Sequence, residues 1–300
     1  MKIPKRLQPL VEDGLIDEVE GQLMSGKEAQ VFVVRSHGER RCAKVFKEAK
    51  QRSFKQAVQY QEGRRERNSR RSRAMAKKTR YGQKEQEQAW LNAEVDALYR
   101  LAAAEVRVPK PFGFIDGVLL MEMITDAEGL TAPRLDDVTL TADEARAHYA
   151  KVIGDVVRML CAGLVHGDLS EFNVLLAADG PVIIDLPQAV DAAGNNSAAW
   201  MFERDVDNMR RYFGRFAPEL LVTDYGKEIW SLFEAGDLHP ESELTGCFEH
   251  DTREVDVDDL MTVIDDVREE EEERRALLSG ERDAGVAEAA ADWRADHDES

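Results

Sequence analysis

An aspartate, an asparagine and a second aspartate stand at Asp168, Asn173 and Asp185, within His166-Gly167-Asp168-Leu169-Ser170-Glu171-Phe172-Asn173 and Val182-Ile183-Ile184-Asp185. That order and spacing suit phosphoryl transfer. The first carboxylate can accept a hydroxyl proton, while the amide five residues on and the carboxylate ending an apolar run can hold magnesium against nucleotide phosphates. Any one of them alone would read as a turn residue beside a buried strand. Together they point to a catalytic loop.

Lys44 interrupts the apolar run Ala43-Lys44-Val45-Phe46. Such a lysine either alternates outward to solvent or turns into a nucleotide cleft, neutralises phosphates and is positioned by a helix glutamate. Glu94, between the apolar positions Ala93 and Ala97, is the predicted partner because an unpaired carboxylate there would be costly; Glu87 is the substitute. Gly21 to Lys27 matches the first seven positions of a Walker phosphate loop. Glu28 then replaces the Ser/Thr magnesium ligand and a strand follows in place of a helix, so a Walker site is not expected.

The elements that must position these groups follow from periodicity. Val31-Phe32-Val33-Val34 and Cys42-Ala43-Lys44-Val45-Phe46 flank the turn-like Ser36-His37-Gly38-Glu39, a hairpin signal. Lys84 to Ala104 carries Trp90, Ala93, Ala97, Leu98 and Leu101 at helical spacing and should stop before Val108-Pro109. Val118 to Ile124 reads as a buried strand after the turn Asp116-Gly117. Thr141-Ala142-Asp143-Glu144 opens a capped helix that runs through Val152, Val156, Val157 and Leu160 into the Asp168 loop. Two short strands meet at Asp179-Gly180-Pro181, and helical patterns resume near Ala199. Strands with one helix, then mostly helices, predict an α+β chain of two lobes around a cleft. The expected divisions are a nucleotide-binding lobe over 1–124, a catalytic lobe over 125–264 and an acidic tail over 265–300.

Composition bounds the function. Three hundred residues, 43% hydrophobic, leave ample core for two lobes, and a net charge of -19 argues against general nucleic-acid affinity. Cys42, Cys161 and Cys247 have no paired metal-ligand spacing and read as packing residues of a reducing compartment. No stretch approaches the ~20 apolar residues of a membrane span, and no apolar run follows the N-terminus as in a signal peptide. A cytoplasmic protein is expected.

Ser25-Gly26-Lys27-Glu28-Ala29-Gln30-Val31-Phe32, Lys44 in its strand, Gly167-Asp168-Leu169-Ser170-Glu171-Phe172-Asn173 and Ile184-Asp185 together resemble the RIO family of atypical serine/threonine protein kinases. The likeness covers roughly Gly21 to Gly214. It implies a kinase-like fold using ATP with magnesium, or manganese, in which Asp168 is the catalytic-loop aspartate, Asn173 and Asp185 hold the metal, and Lys44 pairs with Glu94. Ser25, Gly26 and Lys27 would line the triphosphate. Met121 would be the gatekeeper, with Glu122 and Ile124 meeting adenine through their backbones. The resemblance further implies autophosphorylation, and ATPase turnover through an aspartyl-phosphate at Asp185. Gly167 in place of Arg before Asp168, Leu186-Pro187 after Asp185, and the lack of a Gly-x-Gly-x-x-Gly lid and an Ala-Pro-Glu segment depart from ordinary protein kinases in the RIO manner. The phosphate loop is similar to the first RIO subgroup's, whereas Asp185-Leu186-Pro187-Gln188 is closer to the second's.

Two other readings share this core. An aminoglycoside-type phosphotransferase also uses His-Gly-Asp-Leu with a later Asn and Asp, but it normally carries a large helical substrate domain, for which the 115 residues after Asp185 leave little. An ATPase switch or scaffold in a ribosome-related assembly would retain the same site. Partners are otherwise open: protein substrates are unspecified, and no membrane is expected. The segment 63–80 carries Arg64, Arg65, Arg67, Arg70, Arg71, Arg73, Lys77, Lys78 and Arg80 against Glu66 alone. It is either a solvated loop or a contact for RNA or a ribosomal particle, although it lacks the aromatics of single-strand binders. The tail from Asp265 holds 14 Asp and Glu against 5 Arg, a composition that reads first as solvated chain.

Overall fold

The computed structural model describes residues 3–26, 29–47 and 80–248. Five strands form an antiparallel sheet: β1 (Glu18–Ser25), β2 (Ala29–Ser36), β3 (Glu39–Phe46), β4 (Pro111–Ile115) and β5 (Val118–Glu122), in spatial order β1-β2-β3-β5-β4. The two expected hairpin turns are tight. His37-Gly38 joins β2 to β3 and Asp116-Gly117 joins β4 to β5, with positive φ at all four residues, the conformation that matches strand twist in a two-residue loop.

Strand alternation gives the sheet two distinct faces. Phe32, Val34, Ala43, Val45, Val118 and Leu120 pack beneath Leu7, Leu10 and Ile16, which come from the short helix α1 (Gln8–Glu12) and its flanks. The other face carries Lys44, with Val31 and Leu119 as its cross-strand partners, and the row Val33, Cys42 and Met121 beside it. Farther along, Phe46, Ala29 and Leu119 meet helix α2 (Arg80–Ala103) through Leu91, Val95 and Leu98. Those apolar positions recur at helical spacing, and each buried side chain contributes about 2 kcal/mol. Helix α2 ends at Ala103, before Val108-Pro109 as the sequence predicts. Glu105 takes φ +59 there, and Val106 and Val108 turn into the core as loop residues.

Beyond Glu122 the chain crosses into a helical lobe. Helix α3 (Ala142–Cys161) starts with a capping box in which Thr141 Oγ1 accepts from the Glu144 amide at 3.3 Å and Glu144 Oε2 accepts from the Thr141 amide at 2.8 Å. Its buried face, including Tyr149, Val152, Ile153, Val156 and Leu160, lies in the same core as α4 (Ala198–Gly214) and α5 (Tyr225–Ala235). Between α3 and α4 run β6 (Leu164–Val165), the hairpin β7 (Val174–Ala177) and β8 (Gly180–Ile183), and β9 (Val190–Asp191), which pairs with β6. One continuous core holds residues of the sheet, α2 and the helical lobe. The α+β, two-lobed architecture is therefore present, with the hairpin at the junction.

The basic segment 63–79, Lys27, Glu28, the end of the second lobe from 249 and the acidic tail lie outside the described residues. Of the cysteines, Cys42 is buried. Cys161 and Cys247 are exposed, a correction to their reading as packing residues. Among the described residues no helix is long and apolar enough to cross a membrane.

Candidate active site

The loop between β6 and β7 carries Asp168 and Asn173, and its shape is set largely by backbone bonds to helix α4. Gly167 adopts φ +77, a conformation costly for a side-chain-bearing residue, which accounts for glycine immediately before Asp168. Asp205 of α4 accepts from the Gly167 amide at 2.7 Å and from the Leu169 amide at 3.1 Å. Arg204 donates to the Gly167 carbonyl at 2.5 Å and Asn208 to the Leu169 carbonyl at 3.0 Å. Three residues of one helix thus satisfy four groups of a loop that has no ladder of its own.

His166, only 2% exposed, couples this loop to the next. Its Nδ1 accepts from the Asp168 amide at 3.2 Å, and its Nε2 lies 3.1 Å from the Ile184 carbonyl, so the tautomer with hydrogen on Nε2 satisfies both contacts. Asn173 Nδ2 donates to the Asp168 carbonyl at 2.8 Å and lies 3.4 Å from its Oδ2. The Asn173 carbonyl accepts from the Ile184 amide at 2.9 Å, holding both ends of the β7–β8 hairpin together. Asp185 follows at φ +65, a left-handed conformation that Asp tolerates better than most residues.

Lys44 closes the set from above. Its Nζ is 2.6 Å from Glu94 Oε1 and 3.3 Å from Asp185 Oδ1. Glu94 is 5% exposed and Lys44 15%, whereas Asp185 is half open to the cleft at 49%. Burial opposes the charge on Lys44, but Glu94 and Asp185 outweigh it and hold the ammonium above its ordinary value. Burial likewise raises Asp185, and Lys44, His166 and Arg134 overcome it and leave the carboxyl below the usual range. The cleft therefore presents a firmly cationic lysine beside a firmly anionic aspartate.

Next to Lys44 the sheet is apolar. Val31, Val33, Cys42 and Met123 are buried together, with Met121 half-buried against them and Cys42 Sγ 3.4 Å from Met123 Sδ. Burial pushes the Cys42 thiol up to about 11, so it acts as a small hydrophobe. At the lobe crossing, the Glu122 amide donates to the Lys110 carbonyl at 2.8 Å, and its carboxylate receives Arg107 at 2.9 and 3.1 Å. The Ile124 carbonyl accepts from the Ala132 amide at 3.1 Å. Ser25 ends β1 in an exposed position, and the Gly26 amide closes the following turn onto the Ala29 carbonyl at 2.9 Å. Lys27, expected beside them, is outside the described residues.

The geometry thus brings together Lys44, Glu94, Asp168, Asn173 and Asp185, drawn from strand β3, helix α2 and the two loops around one hairpin. Sequence reasoning missed Arg204, Asp205 and Asn208. The available signal was Asp205 itself, an acid on the buried stripe Met201, Phe202, Val206 and Met209 of α4. Burial pushes its carboxyl up to about 6, against the pull of His166, Arg204 and the two amides. Since the folded value exceeds the ordinary 3.8, this group stabilises the fold most below about pH 4 and progressively less as pH rises to about 6. Relative to Asp205→Asn, wild-type urea stability should accordingly decline from pH 4 to 6 and then level off. A difference unchanged across that range would show that this carboxyl titrates ordinarily.

Among the described residues no three carboxylate, imidazole or thiolate groups converge as a metal cage. Asn173 and Asp185 instead offer an amide oxygen and a carboxylate, hard donors that suit magnesium when phosphate and water oxygens complete the shell. A strand-borne lysine paired with a helix glutamate, above a loop Asp and Asn and a second Asp, defines a phosphotransferase of protein-kinase-like fold.

Comparison with known proteins narrows this class. The RIO domain family matches residues 30–225. RIO-type serine/threonine-protein kinase Rio1 of Haloferax volcanii is 32% identical over 206 residues, 69% of this chain and 67% of that protein. The human serine/threonine-protein kinase RIO1 is 32% identical over 211 residues, 70% of this chain and 35% of that protein. Rio1 of Thermoplasma acidophilum reaches 38% over 130 residues, covering 43% of this chain and 66% of its own length. The chain belongs to the RIO family.

Proposed function

We propose that this chain is an ATP- and magnesium-dependent serine/threonine protein kinase of RIO type. The observation that carries the reading is Lys44 Nζ bonded to both Glu94 and Asp185 across from the Asp168 loop. In this assignment Lys44, held by Glu94, meets the phosphates, and Ser25 and Gly26 cover them. Asn173 and Asp185 hold magnesium, or manganese, which supplies charge neutralisation at the transferring phosphoryl group. The apolar row of Val31, Cys42, Met121 and Met123 receives the base, with the backbones of Glu122 and Ile124 at its edge. Asp168 accepts the proton of the acceptor hydroxyl.

A protein acceptor is favoured over an aminoglycoside because the relatives are named serine/threonine-protein kinases. Ser69, Ser72 and Ser279 are the internal acceptors we propose for autophosphorylation, and the basic composition of segment 63–80 supports RNA or a ribosomal particle as a partner. The cysteine usage supports a cytoplasmic setting. The purified chain, incubated with magnesium and ATP, should acquire phosphoserine or phosphothreonine detectable by mass spectrometry, and chelator should abolish it. Rapid phosphorylation of an aminoglycoside panel with no phosphoprotein would overturn the reading in favour of a small-molecule kinase. ATP hydrolysis with neither product would indicate an ATPase switch.

A further inference from the structure

Arg134 stands at the lobe junction, outside the catalytic set above. It precedes the short 3-10 turn Leu135–Asp137 and pairs with Leu175 of β7 in an isolated antiparallel bridge, while the Pro133 carbonyl accepts from the Leu176 amide at 2.8 Å. Its backbone is therefore fixed against the β7–β8 hairpin that follows Asn173. From there the guanidinium reaches toward the upper lobe, where Nη2 lies 3.4 Å from Met24 Sδ of β1. Met24 immediately precedes Ser25, so Arg134 spans the mouth of the cleft from its floor to the end of its roof.

The chemistry of that contact is poorly matched. Guanidinium has five donors and no acceptor, whereas a thioether is a weak acceptor. No carboxylate of the described residues forms an ion pair with Arg134, whereas Arg107 pairs with Glu122, Arg158 with Asp155 and Arg215 with Glu171. A half-buried cation, bridged through its backbone to β7, thus stands beside Met24 at the end of β1, next to the Ser25 that the nucleotide reading assigns to the phosphates. Polyphosphate is the ligand class that suits this position, since phosphate oxygens match the planar guanidinium fork.

We propose that Arg134 is a second phosphate-binding cation of this cleft, exchanging its contact with Met24 for an oxygen of the bound triphosphate. The proposal rests on the nucleotide reading given above. A purely structural Arg134 would hold the lobes in register and affect every cleft ligand alike, whereas a phosphate ligand discriminates ATP from adenosine.

Calorimetric titration of the full chain with magnesium ATP and with adenosine separates the two. Arg134→Gln should weaken ATP by at least about tenfold, the range of a lost charge-assisted hydrogen bond, and leave adenosine within about twofold. Arg134→Lys, which keeps the charge and loses the fork, should recover part of the ATP affinity. Equal losses for both ligands, or unchanged ATP binding by Arg134→Gln, would overturn the role of Arg134 alone. Wild-type protein that binds ATP no tighter than adenosine would overturn the triphosphate reading and this assignment with it.

Discussion

Asp185→Ala is expected to lower phosphoryl transfer by at least ~10²-fold, and Lys44→Ala by a comparable factor, because each removes a fixed charge from a preorganised site. The two are not equivalent as experiments. When the Asp185 side chain is lost, Lys44 keeps Glu94 at 2.6 Å, so no buried charge is stranded; the remaining complication is the φ of +65 at position 185, where alanine is strained. Asp185→Asn avoids that strain, since asparagine tolerates the left-handed region, and isolates the charge. Lys44→Ala instead leaves Glu94 buried at 5% exposure without its ammonium, a defect of about 3 kcal/mol by analogy with broken buried pairs. Its lower activity must therefore be read beside a thermal melt. Single-turnover transfer at saturating magnesium ATP checks both, and an Asp185→Asn variant at the wild-type rate would remove Asp185 from the chemistry.

How much of this was legible depended on whether a residue's role is local. Asp168, Asn173 and Asp185 announced themselves through type and spacing, and Lys44 through charge in an apolar strand. Glu94 was legible because an acid between buried helix positions needs a partner. Strand β1 was not. Its eight residues are mostly exposed and bulged twice against β2, so no alternation marks them, and only pairing with β2 makes them a strand. Helix α1, five residues long, is too short for periodicity and exists by packing Leu10 against the sheet. Asp205 grips a loop 36 and 38 residues upstream, and Arg134 meets Met24 across 110 residues. Contacts of that separation leave no periodic trace in the chain.

The same distinction between local role and distant support shapes the expected behaviour of Asp168. Asp168→Ala should reduce transfer to a protein hydroxyl by ~10² to 10⁴-fold, the usual contribution of a positioned general base. Nucleotide affinity should survive, because the strong contact of Asn173 is to the Asp168 backbone carbonyl at 2.8 Å and only the 3.4 Å contact to Oδ2 is lost. Loop shape should survive as well. The amides of Gly167 and Leu169 remain bonded to Asp205, and the Asp168 amide remains bonded to His166, none of which needs the Asp168 side chain. Parallel measurements of ATP binding, autophosphorylation and hydrolysis by water separate these effects. The expected pattern is near-normal binding with transfer all but lost. Wild-type turnover on both protein and water would exclude Asp168 as the base, whereas a matching loss of ATP affinity would recast it as a nucleotide ligand.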